Sequence, residues 1–96
     1  MAKQYYVYIL TNQNNNVFYI GSTSDLQKRI YEHKNKVFDG FSKKYNTIKL
    51  IYFEVYDDPY LMVSRERQLK NWHRSWKINL IKENNPDFKD LYNNLF

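Results

Sequence analysis

The sequence predicts one domain of the α/β (α+β) class, a small three-stranded, mainly antiparallel sheet flanked by helices in the order β-β-α-β-α-α. Two aromatic and β-branched runs around an asparagine-rich turn indicate a hairpin, and a third such run covers residues 49–56. The segments after the second and third runs begin with helix-capping residues and continue at helical spacing. At 96 residues the length is typical of one domain, residues 1–96.

The hairpin is predicted from residues 5–22. "YYVYILT" and "VFYIGS" are typical strands, and "NQNNN" between them is a turn, since asparagine tolerates left-handed backbone and hydrogen-bonds locally. Because side chains alternate along a strand, Val7 and Ile20 would share one face of the sheet. Tyr8 and Tyr19 would share the other, so that two phenols lie side by side on neighbouring strands.

The next segment predicts a helix and then a loop. Ser24 or Asp25 caps a helix that runs to about Val37 and has three residues on one face: Leu26, Ile30 and His33. The stretch "FDGFSKKYNT" around Gly40 predicts a loop before the third strand, "KLIYFEVY".

The last third of the chain predicts helices. Asp58 at the cap position and Pro59 in the first turn indicate a helix start. This helix carries four residues at core spacing: Leu61, Arg65, Leu69 and Trp72. A bend is predicted near residues 72–74, and Asn85-Pro86 ends the second half. A short final helical turn would fold Phe88 and Leu91 back onto the domain.

Composition excludes several classes of protein. With no cysteine, the chain can form neither disulfides nor zinc-thiolate sites. No apolar run is long enough for a membrane span, and the first ten residues lack a signal-peptide pattern, so we expect a cytoplasmic location and no membrane partner. The formal net charge is +5, and six Lys or Arg residues with a single acid lie between Arg65 and Lys82. Such a basic surface favours nucleic acid as the partner.

Tyr19 and Gly21 end the second predicted strand on the same face. Glycine permits a close approach of ligand or backbone, so we expect Gly21 to leave room for a substrate backbone. The alternative is a glycine bulge at a strand end. A tyrosine hydroxyl can donate to a phosphate oxygen or orient a water molecule, and with a lowered pKa it can act as a general base.

Three charged or titratable residues add to this pattern. Arg29 and His33 are four apart and so are neighbours on a helix, where arginine suits phosphate contacts and histidine suits proton transfer. The alternative is a solvated helix edge. Glu66 lies among basic residues and is either a helix salt-bridge partner or a ligand of a hard cation such as magnesium.

Taken together, these residues resemble the GIY-YIG nuclease superfamily. Tyr6-Val7-Tyr8 stands where the motif Gly-Ile-Tyr would be, and Tyr19-Ile20-Gly21 matches the second motif. The stretch "DLQKRIYEHK" resembles the family helix with Arg and His. "DGFSKKY", "RERQLKNW" and "LIKENNPDFKDL" resemble the short single-domain bacterial branch, which is similar to excision-repair incision proteins and UPF0213 proteins. The first motif departs from the pattern, since Tyr6 and Val7 replace glycine and isoleucine.

The resemblance implies the GIY-YIG endonuclease fold and hydrolysis of phosphodiester bonds in DNA with one divalent metal, Mg²⁺ or Mn²⁺. Glu66 would hold the metal, and Tyr8 would act as the general base or assist it. Tyr19 would position the nucleophile or a phosphate oxygen. Arg29 would stabilise charge on the phosphoryl group, and His33 would assist proton transfer from the tyrosine.

Further expectations concern the family asparagine, the binding surface and partners. The asparagine on the last helices has two candidates, Asn79 and Asn85. Repair or recombination proteins are candidate partners beside DNA. Trp72 or Trp76 could stack on a base, although core tryptophan is the commoner fate. The residues expected to contact nucleic acid are Lys43, Lys44, Arg67, Lys70, Arg74 and Lys77.

Two other functions fit the same pattern. One is a nucleic-acid-binding module on a nuclease fold with weak or no cleavage, because fold does not guarantee activity. The other is an interaction protein whose tyrosines are core residues.

Overall fold

The computed structural model describes residues 3–36 and 40–96. Its sheet contains β1 (Tyr5–Thr11), β2 (Phe18–Thr23) and β3 (Lys49–Tyr56), which lie in the spatial order β2-β1-β3. Both pairings are antiparallel, so β1 is central and β2 and β3 are the edges. The three predicted strands are confirmed, and β2 is shifted by one residue from its predicted span.

The helices flank this sheet. They are α1 (Leu26–Lys34), α2 (Phe41–Tyr45), α3 (Pro59–Asn71) and α4 (Arg74–Asn84), and a 3₁₀ helix (Tyr92–Leu95) follows them. The prediction of a loop around Gly40 was wrong in part, because α2 forms within it. The predicted end of the first helix at Val37, and positions 38 and 39 of that loop, lie outside the described residues. In the described ranges no helix has the length and apolar character needed to cross a bilayer.

Local hydrogen bonds explain where the helices begin. The side chain of Asp25 accepts a hydrogen bond from the backbone N–H of Lys28, and that of Asp58 accepts one from Tyr60. These carboxylates satisfy N–H groups that lack a partner in the first turn. Trp72 has extended backbone angles, and the bend predicted there separates α3 from α4.

Both faces of the sheet are packed. One face carries Val7, Ile9 and Ile20, which belong to a core that includes Leu69 of α3 and Ile81 of α4. The opposite face belongs to a second core, whose fully or nearly buried members are Tyr8, Leu10, Leu26, Ile30 and Leu50. As predicted, Val7 and Ile20 share one face, and Tyr8 and Tyr19 share the other. The face that carries the two tyrosines is itself packed in a core.

The C-terminal segment closes the second core. Phe88 packs against the first core, whereas Leu91 packs against the second, so the predicted folding back is confirmed. The N–H of Leu91 donates to the carbonyl of Leu50 at 2.7 Å. The side chain of Asp90 accepts from the N–H of Leu50 and forms an ion pair with Lys34 of α1.

One predicted core residue of α3 lies outside the core. Leu61 is 56% exposed, and its neighbour Met62 packs against the first core instead. Leu69 is completely buried and Trp72 packs against the same core, so the remaining apolar positions are correct. Arg65, the remaining residue at core spacing, is partly buried and is held by a charged partner.

That partner is Glu54 on β3. The Nε and Nη2 atoms of Arg65 each donate to one carboxylate oxygen of Glu54 at 2.9 Å, which is a bidentate ion pair. The hydroxyls of Tyr52 and Tyr56 donate to the same carboxylate. Burial by itself would raise the pKa of Glu54, but these donors hold it below its ordinary value. The guanidinium also lies 5.0 Å from the ring centroid of Trp72 at the end of the same helix. The ion pair with Glu54 attaches α3 to β3.

We predict that Leu69→Ala lowers the free energy of unfolding by about 2–5 kcal/mol, because it removes a fully buried side chain. Leu61→Ala is the matched control on the same helix and should change it by about 0.5 kcal/mol or less. Urea denaturation followed by circular dichroism measures both. Equal losses of unfolding free energy from the two substitutions would contradict the burial of Leu69 and the exposure of Leu61.

Candidate active site at the edge of the sheet

Tyr8 and Gly21 face each other across the β1–β2 hairpin. They are Cα partners in the register, and Tyr19 pairs with Leu10 two residues further along. A Cβ atom on Gly21 would overlap the Tyr8 hydroxyl and lie 3.0 Å from the Tyr19 ring. The space beside this glycine is therefore filled by the Tyr8 phenol. The expectation that Gly21 leaves room for a substrate backbone was wrong.

His33 joins the two tyrosines from α1. Its Nε2 atom lies 3.1 Å from the Tyr8 hydroxyl, within a buried hydrogen bond. The ring centroids of Tyr19 and His33 are 5.2 Å apart, and those of Tyr8 and Tyr19 are 6.3 Å apart. His33 is only 4% exposed, so the reading of this position as a solvated helix edge was wrong for the histidine. It is buried because Leu26 and Ile30 place the same face of α1 on the second core.

Burial sets the protonation of this cluster. Desolvation raises the pKa of Tyr8 well above its ordinary value, and Tyr19 and Glu66 add to the rise while Arg29 opposes it. Desolvation and the charge of Arg29 lower the pKa of His33. Both groups are therefore neutral near pH 7, and the imidazole can accept a hydrogen bond from the phenol. A tyrosine base activated by a lowered pKa is not what forms here.

Arg29 borders the cluster from the exposed side of α1. It is half-buried and lies 3.8 Å from the carboxylate of Glu32. Its charge acts on Tyr8 and on His33. The cavity beside it is polar and is lined by Thr23, Ser24, Asp25, Lys28, Arg29 and Glu32.

Glu66 approaches from α3, the helix on the other face of the sheet. Its Oε1 atom accepts a hydrogen bond from the Ser22 hydroxyl, and its Oε2 atom lies 2.7 Å from the Lys70 ammonium. Burial alone would raise the pKa of Glu66, but Lys70 and Ser22 together lower it, so the carboxylate is ionised near neutral pH. The salt-bridge alternative for Glu66 is thus realised, with Lys70 as its partner.

The strand β2 brings these two halves together. Gly21 and Ser22 are consecutive residues, so they point to opposite faces of the sheet. Gly21 borders the tyrosines, whereas Ser22 holds Glu66. Because β2 is an edge strand, no further strand lies beyond it, and side chains on the two faces border the same edge of the sheet. Sequence reasoning did not select Ser22, although its place directly after the glycine of a predicted strand end was the available signal.

The candidate residues are divided among several cavities. Tyr8, Tyr19 and His33 are in direct contact, while Arg29 and Glu66 act on Tyr8 through their charges. Glu66 lines one cavity with Val63, Arg67 and Lys70. Tyr19 lines another, which also includes Lys70, and Arg29 lines the third. Lys70 thus connects the cavity of Glu66 to that of Tyr19.

Glu66 is the candidate ligand for a divalent metal at this site. The described residues contain no group of three or more His, Cys, Asp or Glu side chains able to enclose one. Glu66 offers a single, partly exposed carboxylate next to the Ser22 hydroxyl. Magnesium is often held by one or two carboxylates, with waters and substrate phosphates as the other ligands. The arrangement fits a cation of this kind, provided that the Lys70 ammonium gives way.

The predicted nucleic-acid-binding residues lie on α2, α3 and α4. Lys43 and Lys44 are exposed on α2, and Arg67 is exposed on α3. Lys70 and Lys77 line the cavity beside Tyr19.

Arg74 has a structural contact of its own. Its guanidinium lies 4.8 Å from the ring centroid of Phe18 and donates to the carbonyl of Asn16, so it also holds the hairpin.

The two asparagine candidates differ in their surroundings. Asn85 is buried, and its amide donates to the carbonyls of Ile51 and Lys89 and accepts from the N–H of Lys89. These bonds give Asn85 a structural role at the end of α4. Asn79 is exposed and lines a cavity with Trp72 and Trp76, of which Trp76 is 51% exposed.

Comparison with protein families agrees with this geometry. Residues 4–79 match the family model described as the GIY-YIG catalytic domain. The chain belongs to the GIY-YIG family. The matched range includes Tyr8, Tyr19, Arg29, His33 and Glu66.

Similar sequences place this GIY-YIG chain among UPF0213 proteins. It is 34% identical to a UPF0213 protein of Syntrophus aciditrophicus over 85 residues, covering 88% of this chain and 95% of that one. It is 36% identical to one of Clostridium perfringens over 76 residues, covering 79% and 81%. The solution NMR structure of a UPF0213 protein from Bacillus halodurans shares the fold, with a TM-score of 0.58, 21% identity and coverage of 91% and 92%.

We predict that His33 titrates below the ordinary value of 6.5, whereas the unfolded chain titrates near it. The unfolded state then binds more protons than the native state between the two pKa values, so the free energy of unfolding falls as the pH drops through that window. NMR titration of the imidazole and denaturation at several pH values measure the two effects.

His33→Gln should remove this part of the pH dependence, and His73→Gln, at an exposed position, should leave it. If His33→Gln left the pH dependence unchanged and His73→Gln removed it, His33 would be solvated.

We further predict that Gly21→Ala lowers the free energy of unfolding by about 1–3 kcal/mol through overpacking against Tyr8. In the double variant with Tyr8→Leu, the total loss should be smaller than the sum of the single losses, because the two side chains compete for one space. Strict additivity in chemical denaturation would contradict the close approach.

Proposed function

We propose that this GIY-YIG domain is an endonuclease that hydrolyses phosphodiester bonds in DNA with one divalent metal, Mg²⁺ or Mn²⁺. The observation that carries the proposal is the Tyr8–His33 hydrogen bond, which lies across the edge strand from an ionised carboxylate, Glu66. A neutral proton acceptor and an anion able to hold a cation are thus placed around one strand. Family membership supports the same reaction class.

Tyr8 and His33 would together accept the proton of the attacking water. The raised pKa of Tyr8 makes the isolated phenol a weak source of tyrosinate. His33 is neutral near pH 7, so it can take the phenolic proton while Tyr8 takes one from water. The two residues thus form a relay in which the histidine is the final acceptor.

Tyr19 and Arg29 would act on the phosphate. Tyr19 is the more exposed of the two tyrosines and lines the cavity that contains Lys70 and Lys77, so its hydroxyl can donate to a phosphate oxygen. Arg29 is half-buried, and its guanidinium would stabilise the charge that develops on the phosphoryl group.

Glu66 would hold the metal through the oxygen that now faces Lys70. When bound, the metal supplies Lewis-acid stabilisation of phosphoryl charge. Ser22 would keep the carboxylate at the strand edge by its hydrogen bond to the other oxygen. Displaced from Glu66, the Lys70 ammonium would remain beside the cavity of Tyr19, where it can contact DNA phosphate. Lys43, Lys44, Arg67, Arg74 and Lys77 would extend this basic surface.

A second candidate function is binding of nucleic acid with weak or no cleavage. Two observations favour it: Tyr8 is only 1% exposed, and both carboxylate oxygens of Glu66 already have partners. Cleavage therefore requires water to reach Tyr8 and a metal to displace Lys70. Binding requires neither step.

We predict metal-dependent nicking or cleavage of DNA that falls at least ~100-fold in Glu66→Gln, because the neutral amide holds the metal poorly and the lost charge stabilisation is worth several kcal/mol. The assay uses labelled single-stranded, duplex, flap and branched DNA with Mg²⁺ or Mn²⁺. Glu83→Gln, an exposed carboxylate on α4, is the matched control and should retain full activity.

The outcomes separate the two functions. Cleavage that survives both chelator and Glu66→Gln would falsify the role of Glu66. Tight DNA binding by the wild-type protein with no cleavage of any substrate would establish the binding module instead.

A further inference from the structure

A row of aromatic rings leads from Tyr19 to the surface of α2. The centroids of Tyr19 and Phe41 are 6.0 Å apart, and those of Phe41 and Tyr45 are 4.7 Å apart, with tilted planes. Phe41 is 43% exposed and Tyr45 is 41% exposed. Large aromatic side chains that stay this exposed leave ring surface available for another planar group.

The cavity beside this row is cationic. It has a volume of 280 Å³ and is lined by Phe18, Tyr19, Ile20, Phe41, Lys70 and Lys77. Pockets for drug-sized ligands span roughly 300–1,000 Å³, so this one suits a group about as large as part of a nucleotide. Its aromatic walls and two ammonium groups match a base with its phosphate.

A second exposed aromatic site, at Trp76, lacks this positive charge. The cavity at Trp76 is lined by Trp72, Asn79, Leu80 and Glu83, so its only charged lining residue is an acid. A carboxylate repels phosphate, and this face is disfavoured as a path for a nucleic-acid strand. The comparison selects the α2 side of the molecule over the tryptophans.

We propose that Phe41 and Tyr45, with Lys70 and Lys77, form a subsite for one unpaired nucleotide next to the phosphate that is cleaved. The base stacks on the aromatic row, and the flanking phosphate contacts the lysines. A base inside a duplex already has both faces covered by its neighbours, so only an unpaired nucleotide can stack there. The preferred substrate is thus a strand with unpaired nucleotides, and this inference rests on the proposed action on DNA.

Equilibrium binding without metal tests the subsite independently of cleavage. Wild-type protein in chelator is titrated with a fluorescently labelled 12-nucleotide single strand of thymidines and with a duplex of the same length. We expect tighter binding of the single strand. Phe41→Ala and Phe41→Leu should each weaken it by roughly tenfold, because leucine keeps the apolar volume but not the stacking ring. Duplex binding should change less than twofold.

Two further variants serve as controls. Tyr60→Ala removes an aromatic ring that is 82% exposed on α3 and should leave both affinities unchanged. Lys77→Ala should reduce the slope of log affinity against log salt by about 0.7 for the single strand, whereas the Phe41 variants should keep the slope. Circular dichroism confirms folding, and Tyr45→Leu is the second variant should Phe41 substitutions unfold the protein.

The results have separate meanings. Equal affinity for single strand and duplex, or wild-type affinity in both Phe41→Leu and Tyr45→Leu, overturns the subsite. If the wild-type protein shows no metal-dependent cleavage but binds the single strand as expected, the proposed catalysis is overturned and the subsite is supported.

Discussion

The approach of the Tyr8 phenol to Gly21 is the constraint on which the site depends. Any side chain larger than hydrogen at position 21 would overlap the Tyr8 hydroxyl. With that space free, the Tyr8 phenol fits beside Gly21 and its hydroxyl contacts His33 of α1. Gly21 thus makes room for Tyr8 of the same chain, because the register of β1 against β2 places these two residues opposite each other. A shift by one residue would turn Tyr8 to the other face of the sheet.

The free edge of β2 gives the candidate site its second half. Alternation along the strand sends Gly21 and Ser22 to opposite faces, and α3 reaches Ser22 through Glu66. The Arg65–Glu54 ion pair attaches α3 to β3, the opposite edge strand. Arg65 directly precedes Glu66 in the chain. The helix is therefore attached to both edge strands of the sheet, β2 and β3. Side chains from both faces of the sheet thus lie along one edge strand, β2.

Burial has opposite results in the two halves because the partners differ. Desolvation outweighs the opposing charges of Arg29 on Tyr8 and of Glu32 on His33, and both groups stay neutral. Glu66 is also partly buried, but an ammonium and a hydroxyl stabilise its charged form. A neutral Tyr8–His33 pair and an ionised Glu66 carboxylate follow from these environments. Lys70 links them to the aromatic cavity, since it lines that cavity and pairs with Glu66.

The sequence by itself determined the strands, the helix starts and the family. Strand alternation and capping residues act over a few neighbours, so β1, β3, Asp25 and Asp58 could be predicted without tertiary contacts. Tyr8, Tyr19, Arg29, His33 and Glu66 were selected from residue type and spacing. Only the tertiary structure decided that Gly21 accommodates Tyr8, that Ser22 and Lys70 hold Glu66, and that Leu61 is exposed. Protonation likewise depends on burial and on charges from distant segments, because desolvation and Coulomb interactions act through space and not along the chain.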